Sequence, residues 1–65
     1  MVKNYVKIYR NKMNISQKEL GELVGVSRQT INSIEKMNYS PSIFLCLKLA
    51  QVLNIKIDDL FYLES

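Results

Sequence analysis

Arg28, Gln29, Asn32 and Ser33 are the residues of this 65-residue chain whose types and spacing most clearly suit a chemical task. That task is hydrogen bonding rather than bond making. All four fall in the run RQTINSIE, and if the run is helical they lie away from Ile31 and Ile34, which share the opposite face. Arginine matches guanine edges and phosphates, while glutamine and asparagine match adenine edges, by bidentate geometry. A polar face of this kind on a short helix implies base reading in the major groove of DNA, with Arg28 and Gln29 as principal readers and Asn32 and Ser33 as secondary ones.

Other chemistries find little support. The chain has no histidine and one cysteine, so an internal disulfide is excluded and a zinc site has almost no ligands. Cys46 reads as a small core residue. The carboxylates fall where they cap helices or pair with cations, so no nucleophile has an adjacent base and the expectation is no enzyme, no catalytic residue, no metal and no cofactor.

The elements that must position the four readers are written in residues 16–35, SQKELGELVGVSRQTINSIE. Leu20 and Val24, four apart, share one face of a helix over about 17–24; Ile31 and Ile34, three apart, share one face of the next, over about 28–36. Val26 lies between them. Gly25 sits where the chain must turn sharply and positive φ is favoured. Ser16 and Ser27 are placed as N-caps, and Glu19, three residues after Ser16, completes a capping-box pattern. Gly21 costs roughly 1 kcal/mol against alanine inside a helix, which points to a close helix crossing there. Two helices crossing over a tight turn make a helix-turn-helix. Apolar spacing alone would equally suit two helices packed for stability without a partner; the polar face of the second favours DNA.

Around this unit the sequence predicts three more helices. The first spans Lys3 to Met13, with Val6, Tyr9 and Met13 inward and Lys3, Lys7 and Lys12 outward. The fourth starts at Ser40 as cap and Pro41 in the first turn and runs to Leu53, burying Ile43, Cys46, Leu47, Ala50 and Leu53. Phe44 and Leu45 widen its apolar arc, so either the core or a partner wraps it. The fifth covers Ile57 to Phe61, with Asp58 and Asp59 where the helix dipole favours negative charge. The closing FYLES is strand-like and could pair with residues 1–4.

The length suits one small domain over residues 1–65, near the lower limit for a chain without staples. The N-terminal stretch lacks the continuous apolar core of a signal peptide, and no run reaches membrane-spanning length; a cytoplasmic protein is expected. Residues 1–40 hold seven Lys or Arg against three Glu, and residues 41–65 two Lys against three acids, so the positive charge coincides with the proposed reading helix.

Arg10 with Glu35, the block ISQKELGELVGVSRQTINSIE, the loop NYSPS and the tail LKLAQVLNIKIDDLF together resemble the Cro/C1-type, or xenobiotic-response-element type, helix-turn-helix regulators of bacteria and phages. The resemblance covers nearly the whole chain and is nearest to the short, single-domain repressors of the cytolysin-repressor type. It implies an all-α, five-helix, lambda-repressor-like domain with terminal strands, operator binding as a homodimer, and a partly buried ion pair between Arg10 and Glu35. One departure stands out: Lys56 occupies the place where the family usually has a serine, threonine or proline before the fifth helix, leaving Asp58 or Asp59 as the candidate acceptor.

The expected mechanism is a repressor reading a palindromic double-stranded operator as a homodimer. Gln17 would anchor to phosphate with its backbone amide and side chain, and Ser27, Thr30, Lys36, Asn38 and Tyr39 would flank it as backbone contacts that set register. One helix reads too few base pairs to select an operator alone. Phe44, Ile57, Leu60, Phe61, Tyr62 and Leu63 are the candidate dimer surface, unless they merely close the monomer core. The alternative function is an antitoxin-like protein-binding module that autoregulates its promoter, with the wide apolar fourth helix as its partner surface. No membrane contact or small-molecule ligand is expected.

Overall fold

Residues 2–64 are described by the computed structural model of the chain. Their order is strand β1 (Val2–Asn4), helix α1 (Val6–Lys12), helix α2 (Gln17–Val24), helix α3 (Arg28–Glu35), helix α4 (Ile43–Val52), helix α5 (Ile57–Leu60) and strand β2 (Phe61–Leu63). The fold is thus five helices with a small two-stranded sheet.

The sheet joins the two ends of the described chain. β1 and β2 run antiparallel with Val2 opposite Leu63, Lys3 opposite Tyr62 and Asn4 opposite Phe61. Tyr5 stacks on Tyr62 with ring centroids 4.8 Å apart, and Lys3 Nζ lies 3.6 Å from Glu64 Oε1. The strand character of FYLES and its pairing with the N-terminal residues therefore hold for residues 2–4 and 61–63; Met1 and Ser65 lie outside the described residues.

This pairing shortens the first helix. Lys3 belongs to β1 rather than to a helix, because Tyr5 N–H donates to Leu60 O at 2.9 Å and Val6 N–H donates to Asn4 Oδ1 at 3.0 Å. The strand-to-helix change is fixed at residues 4–6. The inward face also differs from expectation: Val6 is fully buried and Tyr9 packs on the core, but Met13 is 43% exposed. Arg10 is buried instead, for a reason that belongs to the functional face.

The fourth helix differs in both its start and its buried side. Ser42, not Ser40, is the N-cap, accepting from Leu45 N–H at 3.2 Å; Pro41 precedes the cap. Leu45, Leu49, Ala50 and Leu53 face inward, whereas Ile43 (69%), Phe44 (68%) and Leu47 (53%) are exposed. A helix apolar nearly all round offers two competing stripes, and packing against α2 and α5 selects the one carrying Leu45 and Leu49. Cys46 is half-buried with its thiol directed to Pro41 O at 3.8 Å. Burial pushes that thiol's pKa upward, which keeps it protonated and unreactive.

The fifth helix ends at Leu60, one residue before the expected limit, since Phe61 turns into β2. Neither Asp58 nor Asp59 caps it. The helix begins at Lys56 without a side-chain cap, and Asp59 and Leu60 N–H groups donate to Lys56 O.

The core gathers Val6, Leu20, Val24, Ile31, Ile34, Leu45, Leu49, Ala50, Leu53 and Leu60. Helices α1, α3 and α4 stop by the same device: Asn14, Met37 and Asn54 take positive φ just past the helix end. In α3 this lets Asn38 N–H reach Ser33 O and Met37 N–H reach Ile34 O, both at 3.0 Å, the double bond of a Schellman ending. The ending sets the length of the helix that carries the polar face.

Candidate nucleic-acid interface

The turn between α2 and α3 is built from the glycines and the second serine cap. Gly25 adopts φ +82° and its N–H returns to Gly21 O at 2.8 Å. A Cβ on Gly21 would lie 2.6 Å from Val26 O and 3.2 Å from the Ser27 carbonyl carbon. The close approach is therefore between α2 and the backbone of the turn itself. Ser27 Oγ then accepts from Thr30 N–H at 3.1 Å and lies 3.0 Å from Thr30 Oγ1, which opens α3. The capping box at Ser16 is complete as well: Glu19 N–H donates to Ser16 Oγ at 3.0 Å, and Ser16 N–H donates to Glu19 Oε1 at 2.8 Å.

With Ile31 and Ile34 fully buried, the helical period turns the other face of α3 outward. Arg28 and Gln29 are exposed, and Asn32 and Ser33 are half-buried. Gln17, Arg28, Gln29 and Asn32 line one open cleft of about 500 Å³. The start of α2 and the outer face of α3 thus share a concave polar surface. Lys36, Asn38 and Tyr39 are exposed just beyond α3, and Ser27 and Thr30 stand at its beginning, so the suggested backbone contacts flank the cleft on both sides.

Behind the cleft lies a continuous hydrogen-bonded chain. Arg10 donates from Nε to Glu35 Oε2 at 2.6 Å and from Nη2 to Glu35 Oε1 at 3.3 Å, while its Nη1 donates to Ile15 O at 2.8 Å. The two charged side chains are only 10% and 3% exposed, which explains why Arg10 lies inside. Glu35 Oε1 also accepts from Gln17 Nε2 at 3.0 Å, and the same nitrogen donates to Asn32 Oδ1 at 3.1 Å. The structure therefore brings Arg10, Glu35, Gln17 and Asn32 into one network joining α1, α2 and α3.

Two features escaped sequence reasoning. The link from Gln17 to Asn32 and Glu35 joins residues fifteen and eighteen apart on different helices, which no periodicity reveals. Asn4 is a buried polar residue at the end of β1; its Nδ2 donates to Ile34 O at 3.0 Å and contacts Met37 Sδ at 3.3 Å. Asparagine in a strand is uncommon, and that misfit was the available clue.

The candidate dimer residues divide. Leu60 is fully buried within the chain and belongs to the core, so it is removed from any partner surface. Ile57 and Phe61 pack partly on the core, whereas Phe44 (68%), Tyr62 (37%) and Leu63 (81%) remain exposed. Among the described residues no helix is long and apolar enough to cross a membrane.

The crossed pair α2 and α3, the glycine turn and the polar outer face of α3 define a helix-turn-helix DNA-binding domain. The chain belongs to the helix-turn-helix family HTH_3, whose model matches residues 6–60. It is 48% identical over 64 residues to the uncharacterized HTH-type transcriptional regulator YgzD of Bacillus subtilis (strain 168), covering 98% of this chain and 97% of that protein. An uncharacterized HTH-type transcriptional regulator of the archaeon Methanocaldococcus jannaschii is 46% identical over 64 residues, with 98% and 97% covered. The crystal structure of the P22 c2 repressor protein in complex with a synthetic operator superimposes with a TM-score of 0.79 at 32% identity, covering 82% of this chain and 80% of that one. The protein is accordingly a helix-turn-helix transcriptional regulator, DNA-binding rather than enzymatic.

Proposed function

We propose that the protein is a cytoplasmic repressor that binds a palindromic operator as a homodimer, with α3 in the major groove. The observation that carries this reading is the cleft lined by Gln17, Arg28, Gln29 and Asn32, backed by a helix face with Ile31 and Ile34 fully buried. A reading helix needs that rigid backing, because base recognition depends on side chains held in register with the groove. Arg28 and Gln29 project furthest and serve as principal base readers; Asn32 and Ser33 read secondarily. Ser27, Thr30, Lys36, Asn38 and Tyr39 contact the phosphates on either side. Gln17 contributes its backbone amide at the start of α2, since both side-chain N–H groups are already engaged. The P22 c2 repressor, of similar fold, is described bound to a synthetic operator, which supports the same task here.

Dimerisation doubles a readout that is too small for one helix. The proposed surface comprises Phe44, Tyr62 and Leu63 with the exposed parts of Ile57 and Phe61. Ile43 and Leu47 adjoin Phe44 on the outer arc of α4 and extend it. Repression follows from occupancy, because a bound dimer can exclude polymerase without a further domain. Selection of bound sequences from random duplexes tests the reading. An enriched inverted repeat is expected, and enrichment of an unpaired half-site would contradict the dimer.

A second reading draws on the same exposed Ile43, Phe44 and Leu47: an antitoxin-like module that covers this arc with a partner protein and autoregulates its promoter. Co-purification of one stoichiometric partner, with loss of the complex on Phe44→Asp, would favour it.

A further inference from the structure

Glu35 accepts hydrogen bonds from two directions, and its charge determines the orientation of two amides in succession. An ionised carboxylate has only acceptors, so the end of the Gln17 amide facing Glu35 Oε1 must be Nε2, as observed at 3.0 Å. The second hydrogen of that nitrogen points to Asn32 at 3.1 Å. The Asn32 atom that meets it must in turn be an acceptor, Oδ1. Arg10, held to Glu35 at 2.6 Å with both side chains nearly buried, keeps the carboxylate charged and in place. The polarity of the chain thus runs from Arg10 through Glu35 and Gln17 to Asn32.

We infer that this relay makes Asn32 a donor-committed reader that selects guanine rather than adenine at its base pair. A freely rotating asparagine matches adenine by giving from Nδ2 to N7 and receiving at Oδ1 from N6. Here Oδ1 is occupied by Gln17 and Nδ2 is the group left for the groove. Guanine offers two neighbouring acceptors, N7 and O6, to the two hydrogens of Nδ2; adenine sets its N6 donor beside one of them. Gln17 is on this account a positioning residue for specificity in addition to being a backbone contact, and Arg10 and Glu35 act on base choice through it. The inference rests on the major-groove reading proposed above.

The test is selection from random duplexes with four proteins: the full wild-type chain, Asn32→Ala, Asn32→Asp and Gln17→Met. Wild type should enrich a site with a G·C pair at one position of each half-site, where Asn32→Ala relaxes the preference about tenfold, the usual discrimination of one good contact. Asn32→Asp keeps the bond from Gln17 but has no donor, so it should lose that guanine preference while unfolding near the wild-type temperature. Gln17→Met frees the Asn32 amide and should shift the same position toward A·T with the other positions unchanged. A purely phosphate-binding Gln17 would instead weaken all sequences alike, and that result overturns the inference. So does an A·T pair at the position that Asn32→Ala relaxes. Enrichment of no sequence by the wild-type chain would overturn the DNA reading itself and this inference with it, whereas the two preceding outcomes leave the DNA reading intact.

Discussion

Asn4 Nδ2 donates to the backbone carbonyl of Ile34 at 3.0 Å, bridging thirty residues of sequence. The bond fastens β1 to the last turn of the reading helix. The same side chain accepts from Val6 N–H and so fixes the start of α1, and its residue pairs with Phe61 of β2. One small amide therefore connects the sheet that joins the ends to the helix that faces the groove. Replacing Asn4 with alanine leaves buried backbone groups without partners, and the expected loss is about 1 to 3 kcal/mol of unfolding free energy. Urea denaturation measures it; an unchanged midpoint would show the bond to be dispensable.

Arg10 and Glu35 hold α1 to α3 from inside. Removing only one partner strands a nearly buried charge, and Arg10→Met should cost on the order of 3 kcal/mol. The double replacement Arg10→Met with Glu35→Leu should recover part of that loss, because no charge is then left unpaired. Equal destabilisation by the single and double variants would contradict the ion-pair explanation.

Gly21 tolerates no Cβ, since Val26 O would lie 2.6 Å away and backbone atoms cannot step aside as a flexible side chain can. Gly21→Ala gains helix propensity yet should destabilise by roughly 1 to 3 kcal/mol through overpacking. Gly25→Ala meets open space but keeps φ at +82°, so its cost should be smaller, about 1 kcal/mol. Thermal unfolding of the two variants checks the order.

Glu19 carries a pH signature. The Ser16 backbone N–H, and secondarily the Ser16 hydroxyl, hold its carboxyl below the ordinary 4.5. A depressed carboxylate contributes stability that is fully present above its unfolded value and is lost as pH falls through the folded value. Stability of the wild-type chain should therefore decline more on acidification below pH 4.5 than that of Glu19→Gln. The group is fully exposed, so the difference is small and is best followed by NMR titration of the Glu19 carboxyl; an unshifted titration would contradict the capping box as its cause.

The helix-turn-helix was legible because its signals are local. Ser16, Glu19, Gly25 and Ser27 each act within a few residues of themselves, and Leu20, Val24, Ile31 and Ile34 repeat at one period. The fourth helix was not, because Ile43, Leu47 and Ala50 fit helical spacing as well as Leu45, Leu49 and Leu53 do, and only tertiary packing distinguishes them. The first helix was read too long because the competitor of Lys3's helical state is Tyr62, at the far end of the chain. At the interface the readers were visible as residue types, whereas the Gln17 bonds that orient Asn32 depend on how two helices cross.

The dimer prediction follows from the exposed set. Phe44→Asp and Leu63→Lys should shift light scattering at micromolar concentration from twice the chain mass toward the single chain while leaving the fold intact, since both side chains are more than two-thirds exposed in the monomer. Leu60→Ala should instead lower unfolding stability by about 2 to 5 kcal/mol, as expected for a buried leucine. A wild-type chain that scatters as a monomer would remove the dimer.

The central claim is that Arg28 and Gln29 choose the site. Fluorescence anisotropy with the selected operator and a scrambled duplex of equal length, at fixed salt, separates choice from charge. Arg28→Ala and Gln29→Ala should each weaken the operator by about 1 to 3 kcal/mol while changing the scrambled duplex far less, so that the ratio between the two DNAs collapses. An unchanged ratio in both variants would contradict the assignment.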